Sequence, residues 1–304
     1  MKFGLITNNL AVSGMNNLLT ISLWAKQNGF EDLELGPSIP LDVMMARDAA
    51  IRGRIKPTGL IYCRNVLDPV EGPMHIEALK KRIDFAGRMG MERITCSTGL
   101  NAKTITEGNF LRYDPEACLD EVREVFMPLL EMAYRKDVTL CFEMCPMMNN
   151  VAISPYMWER LFEKLDAPNA GMVFDPSHLV WEMIDPYEAI RTLGKRIKHV
   201  HGKDCVIDEE KLMQYGILHL ATQLREAVNT GEGVHGYEHT WWYYRLPGLG
   251  TLDWTRIMKE LKAVGFDGTI SIEHEDPVYS GDLDKVKQGI LMARDHIRSC
   301  MNEE

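Results

Sequence analysis

The feature that most constrains how this chain can fold is a repeated alternation. Short, nearly continuous apolar runs recur at Phe3–Ile6, Asp32–Leu35, Thr58–Tyr62, Arg93–Cys96, Val138–Phe142, Gly171–Phe174, Lys198–Val200 and Thr269–Ile272, and amphipathic helical stretches lie between them. A continuous apolar run reads as a strand buried on both faces, and such strands alternating with helices form a parallel sheet covered by helices. Eight strand–helix units predict an α/β fold of the (β/α)8 TIM barrel type rather than a doubly wound sheet. The doubly wound alternative wants G-x-G-x-x-G after the first strand, and the chain has none there. With 304 residues, one barrel domain spanning 1–304 accounts for the whole chain.

Helix punctuation supports that rhythm. Asp114-Pro115-Glu116, Ser154-Pro155 and Asp185-Pro186 each place a capping side chain before a proline at the first helical position. After the first of these, Leu119, Val122, Val125, Phe126, Leu129 and Leu130 follow at helical spacing. Gly29-Phe30, Gly90-Met91 and Gly265-Phe266 read as helix ends leading into the next strand. The rhythm breaks once, because strand seven ends near His201 and strand eight begins only near Thr269. The segment 204–247 between them is a long insertion, with a short helix expected around Gln214–Arg225 and an aromatic stretch from Tyr237 to Tyr244 that includes Trp241 and Trp242. Such a segment is either a lid or substrate wall over the catalytic face or an oligomer contact.

Composition excludes several function classes. A net charge of −10, with Lys80-Lys81-Arg82 as the longest basic cluster, lacks the concentrated basic face of a nucleic-acid binder. No run is long enough to span a bilayer, and the start of the chain lacks a signal-peptide core. Seven cysteines is an odd number, and Cys96, Cys118, Cys141 and Cys300 fall inside expected strands and helices rather than at the spacings of a disulfide framework. The expectation is a cytoplasmic protein in a reducing compartment, with no membrane and no nucleic-acid partner.

The chemistry gathers where apolar runs end. Glu143 follows Leu140-Cys141-Phe142, Asp175 follows Met172-Val173-Phe174, His201 closes Ile197–Val200, and Glu273 follows Ile270-Ser271-Ile272. In a parallel barrel the carboxyl ends of all strands meet at one rim, so these distant residues converge. Each has a plainer reading or a rival: Glu143 as a helix cap, Asp175 as the turn former in Asp175-Pro176, either imidazole of His199-Val200-His201 as structural, and Glu273 against His274, Glu275 and Asp276 just after it. Together, two Glu, one Asp and one His match the donor set of one divalent cation, with Mn²⁺ the leading choice and Mg²⁺ or Co²⁺ as alternatives.

The ordered series Phe142-Glu143, Phe174-Asp175-Pro176-Ser177-His178, His199-Val200-His201-Gly202-Lys203-Asp204, Pro247-Gly248-Leu249-Gly250 and Ser271-Ile272-Glu273 resembles the xylose-isomerase-like TIM barrels. More narrowly, it is similar to the sugar phosphate isomerase/epimerase superfamily. The resemblance implies that Glu143, Asp175, His201 and Glu273 hold the metal, and that His178 and Arg245 contact substrate oxygens. A carboxylate beside the metal, Glu143 or Glu273, would take the proton next to a keto-sugar carbonyl. Returning that proton gives epimerisation or isomerisation, and losing a β-substituent gives elimination. Trp241 and its aromatic neighbours are expected to stack on a sugar face or an aglycone. The insertion and the string Asp175–Trp181 also look like the metal-bearing subunit of C-glycoside deglycosidases. That narrower likeness implies a 3-oxo-glycoside substrate and a smaller partner subunit; otherwise a homo-oligomer is expected. Two other classes stand behind this reading. An abasic-site endonuclease wants more rim histidines and a basic face, and a non-catalytic subunit of a sugar oxidoreductase needs no complete ligand set.

Overall fold

The computed structural model describes residues 1–106, 114–217 and 240–302. Strands β1 (Lys2–Ile6), β2 (Asp32–Leu35), β3 (Pro57–Tyr62), β4 (Arg93–Cys96), β5 (Thr139–Glu143), β6 (Ala170–Phe174) and β7 (Ile197–Gly202) follow one another. After them come a short pair, β8 (Asp204–Ile207) and β9 (Trp242–Arg245), and then β10 (Thr269–Ile272). All except the short pair close into an eight-stranded barrel in the order β1-β10-β7-β6-β5-β4-β3-β2, parallel at every step. The chain is a (β/α)8 TIM barrel. Observed strands match the expected runs to within one residue at most ends, but β7 reaches Gly202, so His201 lies inside the strand.

Two sets of side chains leave each strand, because strand residues alternate between faces. Leu33 and Leu35, Ile94 and Cys96, Leu140 and Phe142, Met172 and Phe174, and Ile270 and Ile272 join the main apolar core with the surrounding helices. The other set faces the barrel axis, and here it is polar: Asp32 and Glu34, Arg93 and Thr95, His199 and His201, all buried. These residues meet across the lumen, since Arg93 Nη2 is 3.3 Å from Asp32 Oδ2 and Glu34 Oε2 is 2.9 Å from His199 Nε2. Most barrels fill this space with branched aliphatic residues. Gly59 makes room for the charge, because a Cβ there would meet the Arg93 guanidinium 2.9 Å away.

The outer helices obey the capping signals. Ser154 accepts from the Met157 amide, and Asp185 accepts from the Tyr187 and Glu188 amides. Asp114 caps too, but a 3-10 turn at Pro115–Cys118 comes first and the α-helix runs only over Leu119–Tyr134. Its buried face is Leu119, Val122, Phe126, Leu129, Leu130 and Ala133, the stripe expected from spacing. All seven cysteines are free and buried. Among the described residues, no helix is long and apolar enough to cross a membrane.

The insertion departs from expectation. Its described helix is Glu209–Tyr215, which ends at Gly216 inside the helix expected around Gln214–Arg225; residues 218–225 lie outside the described residues, as do Tyr237–His239. The end of the aromatic stretch, from Trp242 on, is a strand and not a loop: β9 pairs antiparallel with β8, with Tyr244 opposite Cys205 and Trp242 opposite Ile207. Trp241, Trp242 and Tyr244 are buried in a separate cluster with Cys205. Trp242 stacks on Trp181, ring centroids 4.6 Å apart and planes 1° from parallel. These three rings are packed within the chain itself. Pairing with β8 turns alternate rings inward, where the helix Pro176–Trp181 covers them.

Candidate metal centre

Four elements deliver the site. Glu143 ends β5, Asp175 follows β6, His201 lies in β7 and Glu273 follows β10 directly. One donor atom from each lies within 4.8 Å of the others, and all four residues are buried. Nδ1 of His201 is 3.2 Å from Glu143 Oε1 and 3.1 Å from Glu273 Oε2. Both readings of Asp175 hold at once. Its Oδ1 accepts from the Ser177 amide at 2.9 Å and from the Ser177 hydroxyl at 2.7 Å, which caps the following helix. Its Oδ2 is thereby left for the cluster.

Whether a cation fits is answered by the donor set and its unused atoms. Three carboxylates and one imidazole are sufficient for a divalent ion. Asp175 Oδ2, His178 Nε2 and Glu273 Oε2 are buried and make no aligned hydrogen bond. Their polar neighbours are ion-pair contacts instead: Lys203 Nζ lies 2.9 Å from each of the two carboxylate oxygens, and His178 Nε2 lies 3.1 Å from Asp175 Oδ2. The residues fit the group.

Around this quartet stand groups that the strand-end pattern did not single out. Lys203 is 1% exposed, and its Nζ lies 2.9 Å from Asp175 Oδ2, 2.9 Å from Glu273 Oε2 and 3.0 Å from Glu275 Oε2. Alternation past His201 was a usable signal for it, because residues 201 and 203 of one extended segment share a side. His178, expected to reach substrate, sits with the ligands: its Nε2 is 3.1 Å from Asp175 Oδ2 and 3.8 Å from Glu143 Oε1. Its Nδ1 is 2.7 Å from the Tyr244 hydroxyl, so the insertion hairpin orients it. Beneath His201, Glu34 Oε2 approaches Nε2 at 3.1 Å.

Electrostatics follow from this packing. Burial works to raise the Glu143 carboxyl, but hydrogen bonds from His178 and His201 overcome it and hold the acid well below its usual range. Burial likewise opposes charge on Asp175, and Lys203 and His178 win, keeping it ionised. Burial opposes a charge on His201, yet Glu273 and Glu34 hold it well above the ordinary histidine value. Lys203 is also held above its ordinary value, its desolvation outweighed by Asp175, Glu273 and Glu275. His199 goes the other way: burial and the Arg93 charge push it down to about 4, against the pull of Glu34.

A cleft of about 500 Å³ opens onto the cluster at Glu273 and Glu275. Its walls carry Asn8, Asn9, Asn65, Asp68, Glu71 and His75 as polar groups, Arg64 as a cationic one, and Met147, Met148 and Tyr62 as apolar surface. None of the three expected substrate contacts, His178, Arg245 and Trp241, is among its lining residues. Arg245 donates from Nε to Asp276 Oδ2 at 2.7 Å, and Trp241 is packed into the hairpin cluster. The ion pair ties Arg245 to the segment after β10, and ring packing holds Trp241 within the insertion. Asn8 and Asn9, which open a short helix after β1, and Arg64 and Asn65, which follow β3, were not anticipated, because amides and a lone arginine just past a strand end carry no metal-ligand signal.

The model of the xylose isomerase-like TIM barrel family matches residues 23–299. The chain is 24% identical to an inosose dehydratase of Geobacillus thermodenitrificans, over 89% of this chain and 85% of that protein. Among solved structures it is similar to the 3-keto-D-glucoside 4-epimerase YcjR of E. coli, with TM-score 0.69 and 17% identity over 99% of this chain and 100% of that one. It is also similar to the IolI protein solved with a zinc atom, with TM-score 0.72 and 17% identity over the full length of both.

Proposed function

The chain belongs to the xylose isomerase-like TIM barrels, and on that premise we propose that it is a divalent-metal-dependent enzyme that removes a proton from the carbon beside the carbonyl of a keto sugar or 3-oxo-glycoside. The observation that carries this reading is the convergence of Glu143, Asp175, His201 and Glu273, from four strand ends, within 4.8 Å. A divalent cation bound there supplies a Lewis acid that polarises a carbonyl oxygen and acidifies the adjacent C–H. Glu143, Asp175, His201 and Glu273 are the residues that would hold it. Glu273 alone of the four lines the cleft, which favours it as the carboxylate that takes the proton, with Glu143 as the deeper partner. In this reading His178, whose Nδ1 is engaged by Tyr244, would meet a substrate oxygen from beside the ligand set. In the same reading, the 204–247 insertion bounds one side of the site through that hairpin contact.

The substrate is an unphosphorylated sugar. Asp68, Glu71, Glu273 and Glu275 line the cleft against the one arginine, Arg64, an acid-rich wall that repels a phosphate dianion. Amides and carboxylates of this kind suit hydroxyl groups. The similar proteins named for inosose dehydration and 3-keto-glucoside epimerisation support the same first step, since both outcomes begin with proton loss beside a ketone. The elimination seen in C-glycoside deglycosidases, with a smaller partner subunit, has less support, because Trp241 and Trp242 do not form an aglycone wall.

The test is solvent deuterium incorporation into keto sugars and 3-oxo-glycosides by protein loaded with Mn²⁺, Mg²⁺, Co²⁺ or Zn²⁺. We expect exchange that Glu143→Gln and Glu273→Gln each lower by about 10²–10⁴-fold. Exchange unaffected by both substitutions would overturn the reading. Release of product without recovered deuterated substrate distinguishes elimination from epimerisation.

A further inference from the structure

His201 belongs to two clusters. Its Nδ1 faces Glu143 and Glu273, and its Nε2 faces Glu34 across the barrel at 3.1 Å. Glu34 lies on β2 and His201 on β7, two strands that are not neighbours in the sheet, so the contact spans the lumen. The same Glu34 oxygen is 2.9 Å from His199 Nε2, while its other oxygen accepts from the Thr95 hydroxyl. Glu34, His199 and His201 also form a metal-capable set, with donor atoms within 4.8 Å of one another.

A cation is nevertheless a poor occupant of that lower set. The Arg93 guanidinium, permanently charged, lies with Nη2 3.4 Å from His199 Nε2, beside the space a cation would need. The positive side of the lower layer is already supplied. What the layer lacks is an acceptor for two imidazole N–H groups, and Glu34 provides it. A carboxylate on the far nitrogen of a ligating histidine sets the tautomer, the ring orientation and the basicity of the near nitrogen.

Resting on the metal-centre reading above, we propose that Glu34 is a positioning residue for the metal. It accepts from His201 Nε2–H, leaving the Nδ1 lone pair aimed between Glu143 and Glu273. The lower cluster therefore holds the ligand in place and binds no second ion. Thr95 and His199 fix the Glu34 carboxylate in turn, and Arg93, anchored by Asp32, closes the lower layer.

The experiment uses the full chain, stripped with chelator and titrated with Zn²⁺ against a competing dye, with ¹¹³Cd²⁺ as the spectroscopic probe on ¹⁵N-histidine-labelled protein. Wild type is expected to bind one ion per chain, with ¹¹³Cd coupled to the Nδ1 of one histidine whose Nε2 carries a proton. Glu34→Gln, which keeps an acceptor oxygen but loses the charge, should weaken Zn²⁺ affinity about tenfold, and Glu34→Leu about a hundredfold. If the leucine variant does not fold, Glu34→Gln and the wild-type coupling still decide. Affinity of folded Glu34→Gln within about twofold of wild type, where loss of a conserved-geometry partner should exceed that, overturns the proposal. So does ¹¹³Cd coupling at Nε2, or a second ion in wild type that Glu34→Gln abolishes. Any of these leaves the functional reading intact if Glu143→Gln still abolishes exchange, whereas absence of all metal binding removes both.

Discussion

Lys203→Met offers a demanding test of how the site is held together. In the cation-free protein the Lys203 ammonium is the shared counter-charge of Asp175, Glu273 and Glu275, at 2.9, 2.9 and 3.0 Å. Methionine keeps most of the unbranched stem but leaves those carboxylates without the ammonium. Removing one partner of a buried ion pair costs about 3–5 kcal/mol. At about 2.1 cal/mol/K of unfolding entropy per residue, a chain of 304 residues loses roughly 1.6 °C per kcal/mol, so the expected fall in melting temperature is about 5–8 °C. Lys203 is held above its ordinary value, so its contribution is complete below the unfolded lysine value and disappears only as pH rises through the folded one. The loss should thus be constant across neutral pH. Thermal melts with chelator, then with saturating Zn²⁺ or Mn²⁺, measure it. Metal should stabilise the variant more than wild type, because it restores positive charge to Asp175 and Glu273. A chelated variant that melts within about 1 °C of wild type, well short of the buried-pair cost, would refute the counter-charge argument.

Two further outcomes follow from the geometry. His201 is held protonated in the cation-free protein, so the stability from its charge is present below the unfolded histidine value and lost as pH rises through the folded one. Because a ligand imidazole must lose that proton, apparent metal affinity should rise about tenfold per pH unit through neutrality, and calorimetry in buffers of different ionisation enthalpy should register proton release; a pH-independent affinity would contradict this. Trp242→Ala removes a fully packed indole stacked on Trp181 at 4.6 Å, and large-to-small changes of this kind cost about 3–5 kcal/mol. Limited proteolysis should then cut between Asp204 and Arg245 faster than in wild type, and an unchanged cleavage rate would show that the hairpin does not depend on this packing.

The barrel was legible because its signals are local. Apolar runs such as Leu140–Phe142 and Ile270–Ile272 bury both strand faces whatever lies beside them, and Ser154 and Asp185 cap helices through amides only a few residues away. The metal-capable quartet was legible for a related reason: parallel closure brings every strand end to one rim, so position along the strand suffices. Even the inward polar residues left a trace, since Asp32-Leu33-Glu34-Leu35 and His199-Val200-His201 alternate within otherwise apolar strands. Arg245 and Trp241 show the limit. Their types suit a sugar, but Asp276 takes the guanidinium and the hairpin cluster takes the indole. Those partners are 31 residues away for Arg245 and, for Glu34 and His201, 167. The sequence by itself determined the layers, the barrel and which four side chains stand at its rim. Only the tertiary structure decided what faces them, because the stagger at which a sheet closes sets who meets across the lumen, and that is a property of all eight strands together.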